Sequence, residues 1–349
     1  LALTPLAAPA VDPTPIFELF RGNHATELLA AAVAHFDVVG RLAARPMTRD
    51  DIRRELGLAE RPAVVLLTAL RAMGLLAVDG EQRLCLTPLA REHLVPGGPF
   101  DVSDYVGLAA DSPGVREVVE RLRSNRPAGA SEEKGAAFIY REGIESAMER
   151  EATARHLTLA LAGRAKNVAP LLAERVDLAR ARRLLDVGGG TGIYSVACLR
   201  KNHGLRAAVW DRPEVLKVAA EFAQAYGVGD RLECRAGDMF RDAVPADCDV
   251  MLLSNVLHDW DVPECRALIG RCAAALPPGG RLLIHDVFLN DALDGPLPIA
   301  LYSAALFALT EGRAYSAAEY QEWLRGAGLA PGEVVPTLIH CGVLAATKA

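Results

Sequence analysis

Five stretches of this 349-residue chain carry side chains that could do chemistry. The first, Leu184 to Ile193, is an apolar run that ends in an acid, Asp186, and then holds Gly188, Gly189, Gly190 and Gly192. Glycines allow a ligand to touch backbone where no side chain stands in the way. A turn of this kind, opening onto a helix N-terminus, forms one half of a nucleotide-type site. Asp211 follows about 20 residues on, the distance at which a carboxylate accepts both hydroxyls of a ribose. Gly237-Asp238-Met239-Phe240 sets an acid beside two apolar side chains, a combination that can hydrogen-bond an adenine amino group and pack against its ring. Ser254-Asn255-Val256-Leu257-His258-Asp259-Trp260 contributes a histidine in a polar setting, and Asp286 is the last acid of the series.

Bringing these stretches together is the work of a parallel sheet. From residue 182 onward the chain alternates strand and helix patterns, with strands expected at Arg183–Val187, Arg206–Trp210, Leu232–Arg235, Val250–Ser254 and Arg281–Phe288. Such alternation predicts a doubly wound, mostly parallel α/β sheet, whose ligands bind beyond the carboxyl ends of the strands. Each chemical stretch falls at such an end. Glu333–His340 and Gly342–Thr347 are close enough to form an antiparallel hairpin at the sheet edge, making seven strands, after a helix capped by Ser316 with Glu319 three residues on. Singly, the residues have plainer readings: Asp211 could cap the helix starting near Pro213, and Asp238 could be a turn residue. The set of acids at successive strand ends, with glycines at the first, is what points to a ligand.

The glycine spacing discriminates between ligands. A dinucleotide loop favours G-x-G-x-x-G, whereas here the glycines fall as Gly188-x-Gly190-x-Gly192, with Asp186 two residues ahead. That acid would repel a phosphate and suits the ammonium of a methionine moiety, so the pattern favours S-adenosylmethionine (SAM) over NAD.

The N-terminal half has a different organisation. Residues 1–15, with four prolines, read as a disordered tail and not as a signal peptide. Apolar residues at helical spacing follow from Ile16 to Val39. Thr48-Arg49-Asp50-Asp51 opens a short helix ending near Gly57, a second helix runs from Arg61 to Met73, and Leu76–Leu86 alternates around Asp79-Gly80 as a hairpin. Helix, helix, hairpin is the order of a winged helix, expected over residues 16–100. DNA binding is nonetheless disfavoured. Thr48 to Ala90 holds six arginines, no lysine and six acids, and the second helix is apolar almost all round, which marks burial in a shared core or a subunit interface. Residues 101–180 read as a helical connector to the sheet, within a second domain over 101–349.

Composition narrows the classes further. A formal charge of −6 gives no general attraction to nucleic acid or anionic membrane. The seven cysteines are scattered with no close pair, so neither a zinc site nor a disulfide framework is expected. No apolar run approaches the roughly 18 residues of a membrane span; together these predict a soluble, cytoplasmic chain without metal.

At this point a resemblance is plain. Leu185-Asp186-Val187-Gly188-Gly189-Gly190-Thr191-Gly192, Gly237-Asp238-Met239-Phe240 and Leu257-His258-Asp259-Trp260 resemble the corresponding motifs of class I methyltransferases, and more narrowly of the plant caffeate-type and bacterial polyketide-tailoring O-methyltransferases. That family pairs the sheet with an N-terminal winged-helix dimerisation domain, so the resemblance spans nearly the whole chain and implies a homodimer. It also implies roles. Gly188 would meet SAM by its backbone, with Gly190 in the same turn, Asp211 would hold the ribose, and Asp238 with Met239, after Gly237, the adenine. Ser254 stands where plant members often carry a lysine near the cofactor. His258 would be the general base for a phenolic hydroxyl, its ordinary pKa of about 6.5 suiting it to neutral pH. Asp286 matches the acid that orients the base. A second acid of the family falls in the segment Glu311-Gly312-Arg313-Ala314-Tyr315-Ser316, where Ala314 takes its place. Three outcomes are open: Asp286 suffices, Glu311 substitutes, or the base is weakened.

The substrate pocket is expected from Phe138, Tyr140 and Met148 in the connector and from Tyr302, Leu306 and Phe307. Arg141, Arg150 and Arg313 are candidate partners for a substrate carboxylate. The expected activity is SAM-dependent O-methylation of a small aromatic phenol of the polyketide type. Decarboxylation or hydroxylation in the same pocket is the alternative, and a winged-helix ligand sensor is a rival of another class.

Overall fold

The computed structural model describes residues 6–127 and 151–349, so Phe138, Tyr140, Arg141, Met148 and Arg150 lie outside the described residues. The described chain divides into two compact units: residues 18–127 with 289–314, and residues 6–17, 151–288 and 315–349. No helix among the described residues is long and apolar enough to cross a membrane.

The first unit is helical with one small hairpin. Arg49–Leu56 is capped as its sequence predicts, the Thr48 hydroxyl accepting from the Asp51 amide at 3.1 Å, and Gly57 ends it in the left-handed region. Glu60–Ala72 follows, then β1 (Leu76–Val78) and β2 (Leu84–Leu86), paired antiparallel with Leu76 opposite Leu86. This is the winged-helix order. The hairpin differs from a two-residue Asp-Gly turn: its loop spans Asp79 to Arg83, and the positive φ falls on Gln82, not on Gly80. The Asp79 carboxylate sets this geometry by accepting from the amides of Glu81 and Arg83, both at 2.9 Å.

Every residue of the second helix from Arg61 to Leu70 is buried. It packs against the helix Leu297–Leu309, also apolar on nearly all sides, which adds Ala304 and Phe307 to the same hydrophobic cluster. Residues 289–314 group with the N-terminal unit, as do residues 101–127. A helix without a polar face needs cover on every side, and the apolar Glu60–Ala72 helix supplies it. Arg61 is the polar exception. Its guanidinium donates to the side chain and carbonyl of Asn125 (2.9 and 2.8 Å) and to the carbonyls of Thr310 and Gly312 (3.1 and 3.4 Å).

The second unit is the sheet. Its strands are β3 (Arg183–Val187), β4 (Arg206–Asp211), β5 (Leu232–Ala236), β6 (Val250–Ser254), β7 (Arg281–Leu289), the two-residue β8 (Tyr315–Ser316), β9 (Leu329–Pro336) and β10 (Cys341–Lys348). Seven run in the order β5-β4-β3-β6-β7-β10-β9, and β8 pairs with β7. The pairs among β3 to β7 are parallel, and β10 is antiparallel to both of its neighbours. The order reverses at β3, which lies between β4 and β6; this is the switch point where ligands of open α/β sheets collect. The terminal hairpin forms as expected, beginning earlier, at Leu329, with its last strand inside the sheet and β9, which contains Pro331 and Pro336, at the edge. Ser316 and Glu319 form a reciprocal cap on the helix Ala317–Gly326, at 3.2 and 2.8 Å.

Candidate active site

The glycine turn leaves β3 at the switch point. Gly188, Gly190 and Gly192 all take positive φ, at +64°, +58° and +66°. At Gly192 space also forbids a side chain, since a Cβ would stand 2.9 Å from Val209. Gly190 differs: nothing lies within 4 Å of where its Cβ would be, so this is the open side of the turn. Asp186 is fully buried beneath the turn, where a Cβ on Gly189 would meet its carboxyl carbon at 2.6 Å. The Ser195 hydroxyl donates to one of its oxygens at 2.8 Å, while the other, Oδ1, is buried with no partner. Burial, with the nearby Asp211 adding to it, pushes the Asp186 carboxyl up to about 7. A buried carboxylate oxygen without a donor is the kind of atom that a ligand ammonium satisfies.

Asp211, at the end of β4, grips the turn directly. Its Oδ2 accepts from the Gly190 amide at 2.8 Å and its Oδ1 from the Arg212 amide at 2.7 Å. Burial raises its pKa against the pull of those two amides, and each oxygen keeps a further lone pair for a hydroxyl. At the end of β5, Gly237 lies so close to the Trp210 indole nitrogen that no side chain fits there. The Asp238 carboxylate accepts from the Phe240 amide at 2.8 Å. The Met239 sulfur lies 3.8 Å from the place of a Gly188 Cβ, so the third strand end reaches back to the first.

Beyond β6, Ser254 is buried with its hydroxyl 2.8 Å from Nδ1 of His285. His285 and Asp286 point to opposite faces of β7, as strand alternation requires. The Nε2 of His285 contacts the Thr337 hydroxyl at 3.2 Å, and Tyr194 meets the ring edge-on at 5.1 Å. Burial, helped by Arg164, pulls its pKa down to about 3, so this ring is neutral. Beside it stand two residues that sequence reasoning did not single out. Arg164, from the helix Glu151–Arg175, donates to the Asn255 side chain at 2.8 Å and to the Cys341 sulfur at 2.9 Å; Asn255 donates to Tyr194 at 3.2 Å and to Ser254 at 3.1 Å. Asn255 had one signal, an Asx residue at a strand end, and it adopts φ +55°. Arg164 had none.

His258 lies in the single 3₁₀ turn Leu257–Asp259 and is buried. Its Nδ1 is 2.5 Å from Oδ1 of Asp286, an oxygen that also accepts from the Val287 amide at 2.8 Å; the Tyr320 hydroxyl reaches the other oxygen at 3.4 Å. Fixing the proton on Nδ1 leaves the Nε2 lone pair to accept another. Burial disfavours the charged ring, but Asp286 and Asp259 outweigh it, so the pKa of His258 is raised above its ordinary value. Asp259 has its Oδ1 3.6 Å from Nε2, and burial pushes its own carboxyl up to about 6 despite the pull of His258. The turn is pinned by the Tyr315 hydroxyl on the Trp260 carbonyl at 2.6 Å and by the Cys265 thiol on the Leu257 carbonyl at 3.1 Å.

The structure thus brings Asp186, Gly188, Gly190, Asp211, Gly237, Asp238, Met239, Ser254, His258 and Asp286 to the strand ends of one unit. Glu311 and the remaining pocket candidates belong to the other. There Glu311 is half-buried, Ala314 is buried with its amide on the Ser303 hydroxyl at 3.1 Å, and Arg313 is buried and donates to the Ala314 carbonyl at 2.9 Å. The Tyr302 ring lies under the Arg21 guanidinium at 3.6 Å. Leu306 is buried, and Phe307 sits in the unit's hydrophobic cluster with Arg61 at 4.8 Å from its ring. Among the described residues no group of three or more His, Cys, Asp or Glu could hold a metal ion.

Residues 127–330 match the profile of an O-methyltransferase domain. The 3-hydroxy-5-methyl-1-naphthoate 3-O-methyltransferase of Streptomyces sahachiroi is 36% identical over 321 residues, 90% of this chain and 89% of the relative. The L-tyrosine C(3)-methyltransferase of Streptomyces lavendulae is 30% identical and covers 86% of this chain and 84% of its own. Among solved structures, an O-methyltransferase family 2 protein from Planctomyces limnophilus in complex with apigenin is 49% identical, with a TM-score of 0.90 over 100% of both chains.

Proposed function

Because the chain belongs to this O-methyltransferase family, as a SAM-dependent enzyme, we propose that it methylates a phenolic hydroxyl of a flat aromatic, polyketide-type molecule with His258 as the base. The observation that carries this reading is the 2.5 Å contact between His258 Nδ1 and Asp286, which leaves the Nε2 lone pair of a buried imidazole to accept a proton. The substrate class follows from two similar proteins, one named for a hydroxynaphthoate and one crystallised with apigenin, both planar phenols.

The residues at the strand ends fit SAM. The open side of the turn at Gly190 would take its amino-acid end, with the unpartnered Asp186 Oδ1 available to the ammonium. Asp211 would accept the ribose hydroxyls, Asp238 and Met239 would hold the adenine, and Ser254 borders the same site. When bound, SAM supplies a methyl on a sulfonium, taken by the phenolate oxygen while the carbon–sulfur electron pair stays on sulfur. The chain's own part is alignment and proton removal. A phenol with a pKa of about 10 is scarcely ionised at neutral pH, so a base fixed at the right atom increases the nucleophile where it is needed. Asp286 holds the ring in the tautomer that does this. Glu311 is the reserve second acid, and Phe138, Tyr140, Met148, Tyr302, Leu306 and Phe307 are the proposed pocket.

The test is His258→Ala with a panel of planar phenols, read by product mass and by calorimetric SAM binding. Retained SAM affinity with lost turnover supports the reading, and unchanged turnover sinks it. A product lacking the added methyl would favour the decarboxylation or hydroxylation alternative. Assembly as a homodimer through the N-terminal region is supported by the helix Thr14–Arg21, where Ile16, Leu19 and Phe20 are 68%, 82% and 80% exposed. Sedimentation showing a monomer at micromolar concentration would oppose that assembly.

A further inference from the structure

Asp286 places a carboxylate on Nδ1 of His258. The other nitrogen is not without an acid. Asp259, the next residue in the chain, turns its Oδ1 to within 3.6 Å of Nε2. Both residues lie in the 3₁₀ turn Leu257–Asp259. The two carboxylates also differ in their access to water. The Asp286 side chain is 1% exposed and that of His258 5%, whereas the Asp259 side chain is 21% exposed. The sequence from Asp286 through His258 to Asp259 therefore runs from the sealed interior outward.

We propose that Asp259 is the second acid of the base: it stabilises the imidazolium across Nε2 and passes on toward solvent the proton that the ring removes from the substrate. The inference rests on His258 being the base. The phenolic O–H bond breaks and an N–H bond forms at Nε2, so the ring becomes cationic between two anions. Afterwards the Nε2 proton moves to Oδ1 of Asp259, either directly or through one water, and the ring returns to its neutral Nδ1–H form while Asp259 becomes the neutral acid. Asp259 then loses that proton to bulk water. No other reactant is needed. Asp286 keeps its hydrogen bond to Nδ1 throughout and holds the ring's orientation. A carboxyl held near 6 is matched to this duty, accepting from an imidazolium and releasing near neutrality. Among the described residues, the charged and titratable groups acting on the ring include Asp286 from β7, Asp259 from its own turn and Arg164 from the helix Glu151–Arg175, with the Tyr320 hydroxyl from the helix Ala317–Gly326 behind Asp286.

Asp259→Asn separates this role from packing, because the amide keeps the shape and removes the charge. The expected result is a kcat lower by roughly tenfold with SAM affinity unchanged. The rising limb of the kcat–pH profile should also move to lower pH, since an anion that favoured the charged ring is gone. Asp259→Glu should return most of the rate and the limb. If Asp259→Asn keeps kcat and the limb at wild-type values while His258→Ala is inactive, the role of Asp259 is overturned and the base reading stands. If Glu311→Gln moves the limb in place of Asp259→Asn, the second acid is Glu311 and the inference is overturned. If His258→Ala retains turnover, the base reading itself fails. Should Asp259→Asn not fold, Asp259→Glu carries the test: a limb at the wild-type pH supports the inference, and a limb displaced to lower pH overturns it.

Discussion

Two histidines stand on opposite faces of the sheet near the ends of β6 and β7, both out of water, and their surroundings drive them in opposite directions. His258 faces two carboxylates and is held more basic than an ordinary histidine. His285 faces two hydroxyls, a tyrosine edge and the field of Arg164, and is held neutral down to about 3. Burial penalises the charge in both cases, so burial alone does not select a base. The difference comes from which neighbours remain charged within reach: an anion repays the lost hydration, and a hydroxyl does not. Sequence position is no guide either, because Asp286, the main partner of one ring, is adjacent in the chain to the other.

The sharpest way to break this comparison is to remove the basic ring. His258→Ala should cost about 10³-fold in kcat and leave the SAM dissociation constant within about twofold, measured by single-turnover assay and calorimetry. Asp286→Asn comes next. Turnover should fall roughly 10²-fold as the ring loses its orienting acceptor. Because the lost anion had raised the His258 pKa, the rising limb of the rate profile should shift to lower pH.

The neutral ring predicts a stability effect without a rate effect. Below about pH 6.5 the unfolded chain protonates His285 and the folded chain does not, so its contribution to stability is lost as pH falls. Between pH 6.5 and 5 this amounts to about 2 kcal/mol, from roughly 1.36 kcal/mol per pH unit. His285→Gln should remove that slope, which denaturant unfolding at the two pH values would detect; an unchanged slope would mean that the ring takes up its proton in the folded state. Thr337→Val should have the smallest effect, a loss of about 1 kcal/mol from one buried hydrogen bond with no change in the rate profile.

Much of this arrangement was legible in the sequence, for local reasons. Strands β3, β4, β6 and β7 are mostly buried runs bounded by turn residues, and the ends of β3 to β7 could be read to within a residue or so. The acids and glycines of the site follow those ends directly. The allegiance of the helix Leu297–Leu309 was not legible, because an element apolar on every side carries no face that names its neighbour. Arg164 was hidden for a related reason: it meets Asn255 across 91 residues of sequence and Cys341 across 177, and no periodic pattern links them. The hairpin was legible and its turn geometry was not, because the side chain of Asp79 sets it. Asp259 was visible as a residue, but its approach to Nε2 is a matter of local backbone and side-chain geometry, which residue types alone do not encode.

The order of the sheet has a consequence for how the enzyme comes into being. β7, which carries both His285 and Asp286, lies between β6 and β10, and Gly342 of β10 pairs with Asp286. During synthesis every acid and glycine of the candidate site at the strand ends, and His258 itself, leaves the ribosome before the strand that flanks Asp286. Until β10 arrives and inserts ahead of β9, β7 has an open hydrogen-bonding edge of strongly apolar sequence, which is the kind of edge that recruits other chains. Maturation of the half of the candidate site that holds His258 and Asp286 is therefore tied to the last strand of the sheet, and a nascent chain arrested shortly before residue 341 is where a chaperone would be most needed.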